Sequence, residues 1–265
     1  MRRRLTLVVA RLGVVAAVVA CWQLGANAAA NQYFPPPSSI VTSMYHKWFS
    51  APAGHFWLTA DATGNLLPSL GRMLLGLALA SVAGIALGVT IGRIPVLADL
   101  TEPLVHFGRA IPAVTMVPVF LFVFRIGTSM EMAAIAFGVI WPVLLNTIDG
   151  ARHLYPGYME SARAFRLGPG QRLLRVILPS AAPKIFAGLR LALALALVLM
   201  IVSEFQGSTD GIGREMSIAQ QNLDIPTMWD IIVLLGLLGI VLNGVFALVE
   251  RRVLAWQHGS ASASN

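Results

Sequence analysis

Long apolar runs with few charges recur along this chain of 265 residues, at 66–92, 105–124, 130–148, 185–205 and 231–249. A run of about 20 such residues, wound into a helix, matches the ~30 Å hydrocarbon layer of a bilayer. Lipid offers no hydrogen bonds, so a spanning segment must satisfy its own backbone, as a helix or within a closed barrel. The alternating strands of a barrel are absent, and Leu, Ala, Val and Gly dominate the runs. Only 12% of the residues are charged, against about 25% in a soluble domain. That is too few to cover a globular surface, so lipid is the expected solvent.

A further run starts at Leu5 or Leu12, ends at Ala30 and follows Arg2-Arg3-Arg4. A basic start before an apolar core also describes a signal peptide, but this stretch is long for one and reads as a retained anchor. The expected fold is therefore an all-α polytopic bundle of about six transmembrane helices. Residues 31–65 contain Pro35-Pro36-Pro37 and several aromatics. They read as an external segment with an interfacial helix at 38–49, capped by Ser38 or Ser39. The organisation expected is an anchor with an external segment at 1–65, a transmembrane core at 66–256 containing a cytoplasmic loop at 150–184, and a polar tail at 257–265.

The basic residues orient these spans. Arg2, Arg3, Arg4 and Arg11 precede the first, and Arg93 and Arg109 flank the second loop. Arg152, Arg163, Arg166, Arg172, Arg175 and Lys184 fill the loop after the fourth span, and Arg251 and Arg252 follow the sixth. With six spans these all fall on one side, which the positive-inside rule makes cytoplasmic, so both termini are expected there. Lys47, Arg72, Arg125 and Arg214 fall towards the other side. The net charge of +7 is thus accounted for by topology, and no nucleic-acid motif accompanies it.

Inside the spans, Gly76, Gly84, Gly88 and Gly92 recur at one-turn multiples, a spacing that lets helices approach closely. Pro112 and Pro118 interrupt the third span and Pro142 the fourth, permitting kinks that a moving pathway could use. Glu204 is an acid near the external end of the fifth span, either a site residue or an interfacial carboxylate bound to water or a helix end. Pro112, Pro118 and Glu204 are accordingly the candidates for the substrate pathway. Glu131 and Arg125 flank a short external turn and are expected to meet water; no chain of buried acids resembles a proton relay.

Enzyme signatures are missing. His46, His55, His106, His153 and His258 are scattered without zinc-binding spacing, and Cys21 is a single cysteine. Gly168-Pro169-Gly170 lacks the Lys-Ser/Thr of a phosphate loop, and Gly211-Ile212-Gly213 is too short to be one. No catalytic residue, metal or cofactor is expected, and ATP hydrolysis would fall to a partner.

One polar stretch stands between the apolar runs: residues 160–179, ESARAFRLGPGQRLLRVILP. Its Gly and Pro punctuate helix-forming Ala, Leu and Arg, which reads as helix, turn at Gly168-Pro169-Gly170, helix, and a stop at Pro179. The residues alone leave two readings open, a solvated cytoplasmic face or a docking element.

Glu160, Ala162, Arg163 and the later Ile177-Leu178-Pro179 resemble the EAA loop of bacterial ABC importer permeases. The family pattern is Glu-Ala-Ala, a glycine a few residues on, then a basic amphipathic stretch ending in Leu-Pro. Phe34-Pro35-Pro36-Pro37-Ser38, Arg109-Ala110-Ile111-Pro112, Pro142-Val143-Leu144-Leu145-Asn146-Thr147, Gly188-Leu189-Arg190 and Ser203-Glu204-Phe205 are similar to the nitrate/sulfonate/taurine branch. Together they cover almost the whole chain in the family order. Ser161 replaces the middle alanine. Counting back from Pro179, the family glycine falls at Arg166, and the turn is expected to be shifted to, or replaced by, Leu167-Gly168-Pro169.

The resemblance implies a permease subunit in a bacterial inner membrane, working with ABC ATP-binding subunits, an external solute-binding protein and a second permease copy. A helix starting near Tyr158 would sit in a cleft on the ATPase. Glu160 near its start would favour the helix dipole or pair with a basic residue, Ala162 and Ala164 would permit close approach, and Arg163 would make charge-assisted hydrogen bonds. Ser161, Arg166, Leu167, Gly168 and Pro179 complete the coupling set. The external protein would dock on 31–65 and 206–229. The competing reading is a stand-alone secondary carrier or channel, which predicts an intramembrane charge pair or an inverted repeat.

Overall fold

The computed structural model describes residues 2–29, 31–52 and 57–256; His55, Ala30 and the tail at 257–265 with His258 lie outside them. Side chains of Arg2, Arg3, Arg4 and Arg11 are likewise outside the description. Among the described residues the secondary structure is helical throughout, with no strand.

In chain order the helices are α1 (Arg2–Ala29), α2 (Pro37–Trp48), α3 (Leu67–Arg93), α4 (Pro95–Ala110), α5 (Val117–Phe124), α6 (Thr128–Arg152), α7 (Pro156–Ala164), α8 (Pro169–Arg172), α9 (Leu178–Gly207), α10 (Ile212–Gln221) and α11 (Ile225–Val253). Five stretches are long and apolar enough to cross a membrane, those of α1, α3, α6, α9 and α11. The pair α4 and α5 makes up to a sixth.

That sixth span is broken, not continuous as its hydropathy suggests. The two halves, Pro95–Ala110 and Ala113–Phe124, meet at 83°. Ile111 before Pro112 is extended (φ −73°, ψ 119°), the conformation that a following proline ring enforces. Pro112 then opens a 3₁₀ turn, Ala113–Met116, and Pro118 lies in the first turn of α5, where its missing N–H costs nothing.

The core is α3 against α6 against α9. Met73, Ala80, Ile135, Val139, Val143, Ala192, Ala196 and Met200 are buried together there. The glycine stripe makes this approach possible: a Cβ on Gly84 would lie 3.0 Å from Val143, and one on Gly88 would lie 2.6 Å from Thr147. The stripe is therefore helix packing.

Two of the long helices start in the same way. A π turn, Ala62–Leu66, runs into α3 at Leu67-Pro68-Ser69, and a second, Leu173–Ile177, runs into α9 at Leu178-Pro179-Ser180. Each π turn lets the chain pass a proline that cannot donate its ladder hydrogen bond. Pro179 is thus not a stop, because the helix continues through it to Gly207.

At the end away from α7 and α8, α2 lies across α11 and buries Ile40 and Trp48. It starts at Pro37 with Pro36 as the flanking residue and no side-chain cap, one residue ahead of the serines expected to cap it. Ser38 instead pairs with Gln23 of α1 (3.0 and 3.1 Å). Trp22, Phe34 and Trp229 form an aromatic cluster with centroids 5.3 to 5.7 Å apart. Otherwise α1 stands largely clear of the bundle, with 6% of its apolar window buried.

Candidate functional site

The segment read as a docking element protrudes from the end of the bundle where α6 ends and α9 begins. Pro156 opens α7 two residues earlier than expected, so Glu160 sits in its middle and not in the first turn. The helix dipole acts within the first turn, so it does not account for Glu160. Glu160, Ser161, Arg163, Ala164 and Arg166 are exposed, and Tyr158 and Phe165 stand out with them. No ion-pair partner is found for Glu160 or Arg163 among the described residues. Ala162 points the other way and is buried in its own chain.

Arg166 makes the turn. Its φ is +52°, and Leu167 N–H reaches back to the Ala162 carbonyl at 3.0 Å, closing the C-terminus of α7. Gly168 has an ordinary φ of −67° and leads into α8. The reversal thus occurs where the family pattern has its glycine, and not at Leu167-Gly168-Pro169. A left-handed residue is what that glycine provides, and here an arginine adopts the same conformation. Ser161, Ala162, Leu167 and Pro179 meet around a cleft of about 650 Å³ that Trp256 also lines.

The protruding helix is rooted in the core. Met159 and Leu154 pack on Val89 of α3, Ala151 of α6 and Ile177 at the base of α9. Beside them Lys184 of α9 pairs with Asp149 of α6 at 2.8 Å, and His153 lies 2.8 Å from the other Asp149 oxygen. Arg93 Nη1 donates to the Ala151 carbonyl at 3.2 Å. Met159 of α7 thus sits where α3, α6 and the π turn before α9 meet.

The opposite end of the core holds a charge cluster. Arg72 of α3 donates to Glu131 of α6 (2.6 Å) and to Glu204 of α9 (3.2 Å) from one nitrogen, while its other nitrogen binds Asp210. Glu131 and Glu204 are each 1% exposed. Ser69 Oγ and Gly213 N–H also donate to Glu204 Oε2, at 2.8 and 2.9 Å. Ser69 in turn accepts from Ile212 N–H at 2.9 Å, and Asn65 Oδ1 accepts from Gly211 N–H at 3.0 Å. Glu204 thus caps the start of α10. The glycines there are obligatory: Gly211 has φ +109° and a Cβ would meet the Glu204 carboxylate at 2.6 Å.

This corrects one expectation: Glu131 does not meet water but joins Glu204 on Arg72. Of the pathway candidates, Glu204 has its oxygens committed to α3 and α10, whereas Pro112 and Pro118 flank the break between α4 and α5, so the three are not brought together.

Comparison with known proteins decides the class. Residues 80–255 match the family described as binding-protein-dependent transport system inner membrane component. The chain belongs to this family. It is the membrane-spanning permease component of an ATP-driven importer, a transport subunit whose ATP hydrolysis takes place in a separate protein. A solute-binding protein is the other partner that membership implies.

Similar to this permease are a bicarbonate transport system permease of Synechocystis (29% identical, over 89% of this chain and 85% of the relative) and a putative aliphatic sulfonates permease of Bacillus subtilis (27%, over 92% and 86%). A nitrate import permease of Leptolyngbya laminosa is 28% identical over 88% and 83%. Among solved structures, an inward-facing form of the MetNI methionine ABC transporter superposes with a TM-score of 0.63 at 19% identity, over 71% of this permease and 94% of that chain. At that identity the likeness speaks for the fold alone.

The charge cluster of this permease escaped sequence reading because the acids on Arg72 lie 59 to 138 residues from it. The available signal was a coincidence of position. Arg72, Glu131, Glu204 and Asp210 all fall at the same end of consecutive core spans, and two glycines follow the acid pair.

Proposed function

We propose that this permease couples to its ATPase through α7 and carries a small oxyanion delivered by an external binding protein. The observation that carries the coupling assignment is the exposure of Glu160 and Arg163, without an ion-pair partner among the described residues, on a helix that packs on the core through Met159 and buries Ala162. A partner with an acidic and a basic group in its cleft would complete both charges. Tyr158 and Phe165 supply the apolar contact beside them. Closure of two ATPases would drive α7 against α3, α6 and α9 and rock the bundle between inward-open and outward-open states.

The solute class rests on chemistry shared by the relatives. Bicarbonate, nitrate and sulfonates are all small oxyanions. The buried cluster carries three carboxylates around one guanidinium, which repels an anion, so the path runs elsewhere. The break at Pro112 and Pro118 is the part of the described chain that we assign to it.

We assign residues 1–65 to an anchor and external segment and 66–256 to the core, with 150–184 as the cytoplasmic coupling loop. The working unit is a dimer of permeases in a bacterial inner membrane, with the binding protein docking at 31–65 and 206–229. The test is a mild-detergent pull-down of tagged permease from its native membrane, followed by mass spectrometry. An ATP-binding subunit that co-purifies and is lost on replacing Glu160 and Arg163 supports the assignment. An active preparation with no ATPase overturns it in favour of a stand-alone carrier.

A further inference from the structure

Four large aromatic side chains stand more than half exposed at the α7 end of the bundle: Tyr155, Tyr158, Phe165 and Trp256. Three belong to α7 and its flanks, and Trp256 follows α11. All four line the cleft of about 650 Å³ behind α7. Exposed apolar residues that scatter singly mean little, whereas residues that converge on one concavity mark a contact surface. The volume lies within the ~300–1,000 Å³ of clefts that enclose a guest.

Across the cleft from α7 stands the stretch that leads into α9. Its π turn, Leu173–Ile177, sets Arg175 in the wall, and Ser180 lies further along it. Arg175 is exposed and has no ion-pair partner among the described residues. Arg172, by contrast, is committed, its Nε–H donating to the Leu167 carbonyl at 2.7 Å. Among the described residues the lining holds no carboxylate, so the cleft suits an acidic guest. Trp, Tyr and Arg together are the residues on which one protein anchors to another.

We infer that the ATPase grips α7 from both sides. Besides receiving the exposed face of α7, it seats a short segment of its own between α7 and the start of α9. That segment carries a carboxylate, which pairs with Arg175, beside an apolar side chain that packs among the four aromatics. The inference rests on the coupling assignment and adds the second half of the grip. The two surfaces are continuous, because Tyr158 and Phe165 belong to both. A helix pressed on one face transmits a push only. A helix held on both faces follows its partner in either direction, so closing and reopening strokes both reach the bundle.

The test uses the full chain in lipid nanodiscs with Cys21, its exposed thiol, replaced by serine. It is studied alone and in complex with the ATP-binding subunit that co-purifies with it. Ser180→Cys puts a thiol in the cleft, and Ala164→Cys puts one on the exposed face of α7. A membrane-impermeant maleimide should label both in the permease alone, and each about tenfold more slowly in the complex. Arg175→Glu should weaken the complex by about tenfold without changing the unfolding temperature of the permease, and Arg175→Lys should restore most of the affinity. Protection at 164 with unchanged labelling at 180 overturns the inference and leaves the coupling assignment standing. Protection at neither position, in a complex that hydrolyses ATP, overturns both. If Ser180→Cys is already unreactive in the permease alone, lipid or the chain itself fills the cleft and the inference fails. It fails too if 180 is protected while Arg175→Glu binds with full affinity, because the cleft then closes without a guest at Arg175.

Discussion

Leu167 N–H donates to the Ala162 carbonyl at 3.0 Å, and the chain between them can close that bond because Arg166 has φ +52°. A non-glycine residue pays a steric cost in this region that glycine avoids. Arg166→Gly is therefore expected to stabilise the end of α7, by about 1 kcal/mol. Thermal unfolding of the purified permease, with hydrogen exchange at residues 156–168 as the local readout, checks this. Faster exchange there would show that the arginine side chain holds the turn in some other way.

Glu160 and Arg163 are expected to act at the partner and not in the fold. Glu160→Lys should leave insertion and thermal stability unchanged, because the side chain is exposed and makes no ion pair among the described residues. Reversing the charge against a matched cleft should weaken ATPase association by about 2 kcal/mol or more, roughly 30-fold, and abolish uptake. Co-purification and solute uptake measure the two effects separately. Normal uptake by this variant would remove Glu160 from coupling.

The cluster at the other end should behave in the opposite manner. Arg72→Ala strands Glu131 and Glu204 at 1% exposure with no cation beside them. The expected loss is about 3–5 kcal/mol, seen as a large fall in unfolding temperature in detergent. Arg72→Lys should recover only part of it, because a single ammonium cannot reproduce the fork that serves α6, α9 and Asp210 together.

How much of this was readable beforehand follows from the range of each interaction. Spans and their ends were legible because hydropathy is a local property, and Gly76, Gly84, Gly88 and Gly92 announced close packing because they share one helix face. Pro112 marked the third span as irregular, but the 83° bend depends on how α5 packs against α6, which no local pattern carries. Pro179 looked like a terminator, because a proline ends helices unless a π turn precedes it. Arg72 and Glu131 resembled interfacial charges, and Glu204 either a site residue or an interfacial carboxylate. Only the folding of α3, α6 and α9 against one another turns three surface residues into one buried group. At α7 the pattern named Glu160, Ala162 and Arg163 together, and only the fold shows that Glu160 and Arg163 stand exposed while Ala162 is buried.

Two glycines make a paired test of that packing. A methyl group on Gly213 would lie 2.5 Å from the Ile201 carbonyl and 2.6 Å from Glu204 Cβ. Gly213→Ala should therefore push α10 off α9 and cost about 1–3 kcal/mol. On α11, Gly236 has nothing within 4 Å of such a methyl, and Gly236→Ala should be neutral or stabilising by up to about 1 kcal/mol, through helix propensity alone. Equal unfolding temperatures for the two variants would contradict the packing of α10 described above.

Sidedness is the remaining expectation that a simple experiment reaches. The structure brings the positive ends of the helices together: Arg93 at the end of α3 donates to Ala151 at the end of α6, and Arg190, twelve residues into α9, pairs with Glu250 near the end of α11. Arg163, Arg166, Arg172 and Arg175 lie on the segment between α6 and α9, at that same end. The opposite end carries Glu131, Glu204, Asp210, Glu215 and Asp224 against Lys47, Arg72, Arg125 and Arg214, with Lys47 and Arg72 paired to acids. Membrane insertion retains Lys and Arg on the cytoplasmic side, so the α7 end should face the cytoplasm and α2 and α10 the exterior. A green fluorescent protein fused after Trp256 should then fluoresce, and alkaline phosphatase at the same point should be inactive. Alkaline phosphatase joined after Asn31 should be active, because that point follows α1 at the external end. Active phosphatase after Trp256 would invert the whole arrangement and place α7 where no ATPase could reach it.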